Sequence, residues 1–358
     1  MGIKGLLPIL RKILKKTHIG KYSNRRVGID GHSWIHRIIP YIAADLYCNN
    51  PTQKHLDLFM AKLSGLLDYG ITPIFVFDGD FLESKKKTIQ ERKQLREKYR
   101  AEVDFFLQRN DVPRARELMK RCVSVTPEIL HSILRVLKAN NIEFIVSPYE
   151  ADAQLYFLQR IKYIDYILTE DSDLVVYGAT RILYKYDGVH VEEYDSARLH
   201  LCKDKYFQEN ILDICILSGC DYLDSIRGIG IVTAYEKLKE LGDVDSFVNS
   251  MISLKKNVPK EYISDFVKAK ATFLHHIVYN PYTMQRQFLS EPKIACEFLG
   301  SLENSSFTFN THLGIEQKLD RHFIPKAIAK RTTEDKENCS SEIPEDYILD
   351  SNLVLPYF

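Results

Sequence analysis

The chain has 358 residues, 45% apolar and 27% charged, with a formal charge of only +1. This is the balance of a soluble globular protein with room for one large domain or two ordinary ones, and no apolar run reaches the roughly 18 residues of a membrane-spanning helix. Seven cysteines without a CxxC pair argue against zinc sites and a disulfide framework and fit a reducing compartment. The opening MGIKGLLPILRKILKK is too basic and its apolar stretch too short for a secretory signal, so it is expected to form a short amphipathic helix. Gly2 lacks the downstream hydroxyl residue of a myristoylation signal.

In chain order, RRVGID (25–30) and ITPIFVFD (71–78) read as strands, each ending in Asp. Residues 83–121 are polar, with basic residues outnumbering acidic ones about two to one, and predict one or two solvated helices projecting from the body. Thr126-Pro127 has the cap and first-turn chemistry of a helix start, and Asn140-Asn141 that of its stop. IEFIVSP (142–148) and IDYILTEDSD (164–173) are the next strands, with the helical ADAQLYFLQR between them. Strands alternating with helices predict an α/β fold with a mostly parallel sheet. Residues 205–290 read as all helix, and the polar, acidic chain from about 330 reads as a disordered tail.

The strand ends carry the chemistry. Asp30, Asp78, Glu150, Asp152, Asp171 and Asp173 all fall at or just past the carboxyl ends of four strands, where parallel sheets form their ligand crevice. A lone Asp after a strand is usually a turn former or helix cap. Six converging carboxylates would repel one another unless a cation sat among them, and hard oxygen donors suit Mg²⁺ or Mn²⁺. Asp171 and Asp173 would face the same way in an extended chain, whereas Glu150 and Asp152 cooperate only if Glu150 sits at the lip of the following helix. Asp221, after the helix ILDICILSGC, is a seventh acid at the unfavourable end of a helix dipole. With these seven set aside the rest of the chain carries +8, so the low overall charge conceals a basic surface.

MGIKGLLPIL, VFDG (76–79), YEADAQL (149–155), TEDSDLVVYG (169–178) and ILSGCDYLDSIRGIG (216–230), in this order and spacing, resemble the 5′ nuclease superfamily of flap endonuclease. YEADAQL, ILSGCDYL and FLHHIVYNP (273–281) are most similar to its exonuclease 1 branch. The resemblance implies a nuclease domain over 1–290, comprising an N-terminal region (1–99), a helical arch (83–125), an internal region (138–225) and a helix–two-turn–helix region (205–290), then an extension (291–329) and the tail (330–358). It implies two Mg²⁺ ions, replaceable by Mn²⁺, with Asp30, Asp78, Glu150 and Asp152 on the first and Asp171, Asp173 and Asp221 on the second.

By the same resemblance, Lys85 and Arg92, about two turns apart, contact the scissile phosphate. Ser218, Ser225 and Ile229 hold a K⁺ ion, and Gly2, His36, Gly228 and Gly230 meet DNA. Trp34 reads as core. His32 stands where exonuclease 1 has Tyr, and Glu83 where the family usually has Pro. The implied protein is a monomeric nuclear 5′→3′ double-strand DNA exonuclease that also cuts 5′ flaps. Its substrates are duplexes with 5′ ends, nicks, gaps or flaps, and mismatch-repair proteins are possible partners; the terminal Tyr357-Phe358 pair reads as an ordinary frayed end, with a docking peptide for such partners as the alternative. A dedicated flap endonuclease, a non-catalytic junction binder and an RNA-processing nuclease remain alternatives at this point, because the acids do not set substrate choice.

Overall fold

The computed structural model describes residues 2–293 and 296–303. The expected tail at 330–358, Tyr357-Phe358 and most of the 291–329 extension lie outside the described residues. A short helix α1 (Leu6–Leu10) leads into β1 (Lys15–His18), β2 (Arg26–Asp30), α2 (Gly31–His36), α3 (Ala43–Tyr47), α4 (Lys54–Asp68) and β3 (Thr72–Phe77). The basic segment forms α5 (Lys86–Gln108) and α6 (Val112–Cys122), followed by α7 (Pro127–Ala139), β4 (Glu143–Val146), α8 (Ala151–Arg160), β5 (Tyr166–Leu168) and α9 (Asp173–Tyr177). Strands β6 (Arg181–Tyr184) and β7 (His190–Asp195) precede the helical region α10 (Lys205–Glu209), α11 (Ile211–Ser218), α12 (Ile231–Leu241), α13 (Val244–Ser253) and α14 (Tyr262–His275).

Seven strands form one sheet in the order β1-β7-β6-β5-β2-β3-β4. The β6-β5-β2-β3-β4 pairs are parallel, as expected, and β7 and β1 close one edge antiparallel. Alternation along β3 sends Ile74 and Val76 into one apolar cluster, with α1, α8, α9 and the C-terminal helices, and Phe75 and Phe77 into the other, with α2, α4 and α7. Each fully buried ring of this kind contributes about 1.5–3 kcal/mol. Helix α7 starts where expected: the Thr126 hydroxyl accepts from Ile129 N, Pro127 follows, and Asn141 leaves the helix in the left-handed region at φ 54°.

Two expectations are corrected. Residues 205–290 are not all helix: β8 (Ile277–Asn280) and β9 (Gln285–Phe288) form an antiparallel hairpin, because Ile277, Val278 and Tyr279 are β-branched or aromatic and bury as a strand. The strand expected over 164–173 ends at Leu168, and Asp173 opens α9, so Asp171 and Asp173 are not paired by an extended backbone. The two basic helices do project as a pair, joined by a small apolar seam of Val103, Ala115 and Met119 that also takes in Ala43. Among the described residues no helix is long and apolar enough to cross a membrane, and six cysteines are free.

Candidate active site

Each acid reaches the sheet edge through its own local structure. Asp30 ends β2 and caps α2: Oδ1 accepts from Ser33 N at 2.9 Å, and Oδ2 from Thr169 Oγ1 at 3.0 Å. Asp30 therefore caps a helix and lines the crevice at once. Asp78 follows β3, and its Oδ1 accepts from Ala151 N at 2.8 Å. Gly79 is required beside it, since a Cβ there would lie 1.9 Å from the Ser147 carbonyl oxygen; that close approach draws the ends of β3 and β4 together. Glu150 is the extended cap residue before α8 (φ −95°, ψ 138°), at the helix lip, with Asp152 in the first turn.

Asp171 Oδ1 accepts from Asp173 N at 3.0 Å, and Asp173 Oδ1 accepts from Ile3 N at 2.9 Å. It is this turn chemistry, rather than an extended strand, that joins the two acids. Gly2 sits against them at φ +89°, where a Cβ would fall 2.1 Å from Asp171 Oδ1. Asp221 lies three residues past α11.

Asp30, Asp78, Glu150, Asp152, Asp171 and Asp221 line one cavity of about 240 Å³ with His32, His36, Lys85, Arg92 and Arg96. Asp173 is buried behind it. Burial, then the charges of neighbouring acids, raises the Asp30 pKa to about 7 and that of Asp152 well above the ordinary carboxylate value. Asp173 is raised in the same way, and Asp171 also lies high through burial. Asp221 goes the other way: burial opposes its ionisation, but Lys85 and Arg92 outweigh burial and lower its pKa.

Lys85 Nζ lies 3.0 Å from both Glu150 Oε2 and Asp221 Oδ2, and Arg92 Nη2 lies 2.8 Å from Asp221 Oδ1. Lys85 ends a 3₁₀ turn begun by Glu83, one residue before α5, so the pair shares a target without sharing one regular helix. The base of α5 is fixed by Thr88 Oγ1, which donates to the Asp221 carbonyl at 2.8 Å, and by a Lys87–Asp224 ion pair.

Glu150 Oε1 and Asp152 Oδ1 are buried without a hydrogen-bond partner, which is costly for carboxylates unless a cation meets them. The donors are hard oxygens, which suit Mg²⁺ or Mn²⁺. Among the described residues no three acidic, imidazole or thiolate groups are already drawn together as a ready metal-binding group; the two basic side chains compensate much of the acidic charge instead. The residues fit the ion in type and burial.

His32 is buried beside Asp78, whose amide donates to its Nδ1 at 3.2 Å; burial lowers the ring's pKa and keeps it neutral. It packs edge-on to Phe77, at 5.9 Å between centroids. Trp34 is core, stacked on Tyr186, as expected. His36 is exposed at the cavity rim. Ser218, Ser225 and Ile229 line a second cavity together with Gly228 and Gly230. Gly228 needs its glycine at φ +82°, whereas Gly230 has extended backbone and open space around it.

Three residues around Glu150 lie inside the motifs TEDSDLVVYG, ILSGCDYL and FLHHIVYNP, but were not singled out as site residues. Tyr222 Oη donates to Glu150 Oε2 at 3.0 Å, Tyr177 Oη pairs with Tyr222 Oη at 3.0 Å, and His276 Nε2 accepts from Glu150 N at 3.4 Å. A Tyr after an acid, or a His in a segment read as helix, does not stand out.

The frame is thus a mostly parallel sheet covered on both faces, with acids at its carboxyl edge and a basic helical pair and a helical region next to them. Residues 1–99 match the model of the XPG N-terminal domain, and residues 141–221 that of the XPG I-region. The chain belongs to the XPG family of nucleases.

Among its relatives is exonuclease 1 of Xenopus laevis, 34% identical over 290 residues, covering 78% of this chain and 40% of that protein. Exonuclease 1 of Drosophila melanogaster is 35% identical over 307 residues, covering 81% and 41% respectively. The chain thus spans about two fifths of the length of these curated relatives. The fold is shared with the catalytic core of Rad2 in complex with DNA substrate (TM-score 0.58, 22% identity, 76% of this chain and 86% of that one). It is also shared with the Holliday junction-resolving enzyme GEN1 in complex with product DNA and Mg²⁺ (TM-score 0.53, 18% identity, 79% and 66%).

Proposed function

We propose that the chain is a 5′→3′ double-strand DNA exonuclease that also cuts 5′ flaps, acting in mismatch repair, end resection and recombination. The observation that carries this reading is the gathering of the strand-end carboxylates beneath Lys85 and Arg92, with Glu150 Oε1 and Asp152 Oδ1 left unpartnered. Similarity to proteins named exonuclease 1 supports the choice of substrate. Residues 1–290 form the nuclease domain in this reading, with the arch over 83–125 and the helix–two-turn–helix region over 205–290. The protein works as a monomer in the nucleus, and mismatch-repair proteins are its partners.

Asp30, Asp78, Glu150 and Asp152 would hold one Mg²⁺ and Asp171, Asp173 and Asp221 a second. When bound, such a pair supplies an activated water and charge compensation at the reacting phosphate. The rest is done by side chains. Lys85 and Arg92 exchange carboxylate oxygens for phosphate oxygens, placing positive charge where charge develops in the transition state. His36 meets the DNA end at the rim, and Gly2 leaves room beside Asp171. Gly228 and Gly230 present backbone amides to a duplex phosphate, and Ser218, Ser225 and the Ile229 carbonyl hold K⁺ against the same strand.

End-labelled substrates test the reading. A 5′-recessed or blunt duplex labelled at the 3′ end should shorten progressively in Mg²⁺, and a 5′ flap should also be removed. Persistence of the full-length recessed strand during rapid flap removal would assign a dedicated flap endonuclease instead.

The raised carboxyl pKa values give a pH dependence. An acid whose folded pKa exceeds its unfolded value contributes stability below about pH 4 that is lost as pH rises through its folded pKa, about 7 for Asp30. Metal binding must displace these protons, so cation affinity rises over the same window. The buried, neutral His32 and His276 titrate in the opposite sense on stability, which makes the metal-dependent difference the clean measure. The gain in Tm on replacing EDTA with Mg²⁺ is expected to grow from about pH 5 to pH 8. A gain independent of pH would contradict the carboxylate site.

A further inference from the structure

The acidic loops are linked by something other than the basic side chains. Tyr222 follows Asp221 directly, and Tyr177 lies one helical turn after Asp173 on α9. The Tyr222 phenol donates to Glu150 Oε2 at 3.0 Å, and the two phenol oxygens are 3.0 Å apart. With the Tyr222 proton committed to the carboxylate, the proton between the phenols comes from Tyr177. The order is therefore Tyr177 O–H to Tyr222 Oη, and Tyr222 O–H to Glu150.

The rings are held firmly. Tyr177 packs edge-on to Phe273 at 5.0 Å and stacks on Tyr156 at 6.2 Å, and Tyr222 also meets Phe273 at 5.0 Å. Glu150 Oε2 is thus shared between a fixed donor, Tyr222, and a mobile cation, Lys85, while Oε1 is buried with no partner. If Lys85 moves to a phosphate, Tyr222 remains as the side-chain donor to Oε2 and keeps the carboxylate from rotating, so that Oε1 stays buried and free for an ion.

We propose that the Tyr177–Tyr222 phenol pair is a positioning device that holds Glu150 in its ion-binding orientation independently of Lys85. This rests on the proposed divalent-metal site. Both tyrosines act through Glu150, and neither touches the reacting atoms. The pair ties together the three segments that carry Glu150, Asp173 and Asp221, so its loss should be felt as weaker ion binding before any DNA is present.

The test is Mn²⁺ binding to the full chain without DNA, followed by the loss of the free-ion electron paramagnetic resonance signal, for wild type, Y222F, Y177F, the double variant and D173A. Each Tyr→Phe change removes one oxygen and keeps the ring. Y222F should weaken binding about 10-fold, in the range found for outer partners of metal ligands. Y177F should weaken it less, and the double variant should match Y222F alone, because Tyr177 acts only through Tyr222. Wild-type affinity in Y222F, or a double variant whose loss is the product of the two single losses, would overturn the proposal. If Y222F fails to fold, as judged by circular dichroism, Y177F decides: wild-type affinity overturns the proposal and weakened affinity supports it. Failure of the metal site itself looks different: wild type binds no Mn²⁺, or D173A binds it as tightly as wild type.

Discussion

Asp173→Ala is expected to abolish cleavage, lowering turnover by at least about 10³-fold, the upper range for loss of one preorganised electrostatic group. Duplex affinity should stay near wild type. Asp173 is buried and is not among the residues that line the cavity of Ser218, Ser225 and Gly228. The fold should survive as well. The substitution removes one acceptor, for Ile3 N, worth about 1 kcal/mol. It also removes a buried carboxyl that burial and neighbouring acids hold well above its ordinary pKa. Turnover in Mg²⁺ within a few fold of wild type would sink the assignment of Asp173 as a metal ligand.

The second large effect concerns the basic pair. Lys85→Ala with Arg92→Ala should lower turnover about 10²–10³-fold while weakening duplex binding by less than about 1 kcal/mol. The two side chains meet Glu150 and Asp221 in the cavity, and their proposed contact is with the phosphate that reacts. An interaction made mainly in the transition state appears in turnover, and one made equally with bound substrate appears in affinity. Single-turnover rates alongside equilibrium binding separate the two. A large loss of affinity with unchanged single-turnover rate would move Lys85 and Arg92 from the reaction to duplex binding.

The parts of the fold that were legible in the sequence are those where burial left an unambiguous pattern. Strands β2, β3, β4 and β5 are short apolar runs because both sheet faces are covered, and each stops at a polar residue as the chain reaches the crevice. Helix α7 announced both its ends through Thr126, Pro127 and Asn141. The antiparallel edge was not legible. β1 is KKTH and largely exposed, and β7 is HVEEYD, so neither carries an apolar run; their pairing is a matter of backbone hydrogen bonds. The β8–β9 hairpin was hidden by the strong helical pattern of α14 that runs into it.

At the site, the acids were readable as types and positions, but their partners were not. Tyr222 and Thr169 find carboxylates, His276 a backbone amide and Tyr177 the Tyr222 phenol across long sequence separations, which no local spacing encodes. Asp171 and Asp173 are joined by a side-chain turn instead of the extended backbone that their spacing suggests. An Asp side chain that accepts from the amide two residues on competes effectively with a continuing strand.

The closing strand β1 has a consequence for synthesis on the ribosome. Lys15 pairs with Glu193 and His18 with His190, so this edge strand has no partner until the chain has grown by some 175 residues. At about 5–20 residues per second, that is a wait of roughly 10–35 s. The amide of Ile3 waits for Asp173 over almost the same span. During this interval the emerging amino-terminal segment exposes Leu6 and Leu10, which are fully buried in the finished protein, so it is open to chaperones and proteases. Lys15 and Lys16, solvent-facing in the folded state, discourage this waiting strand from pairing with another nascent chain.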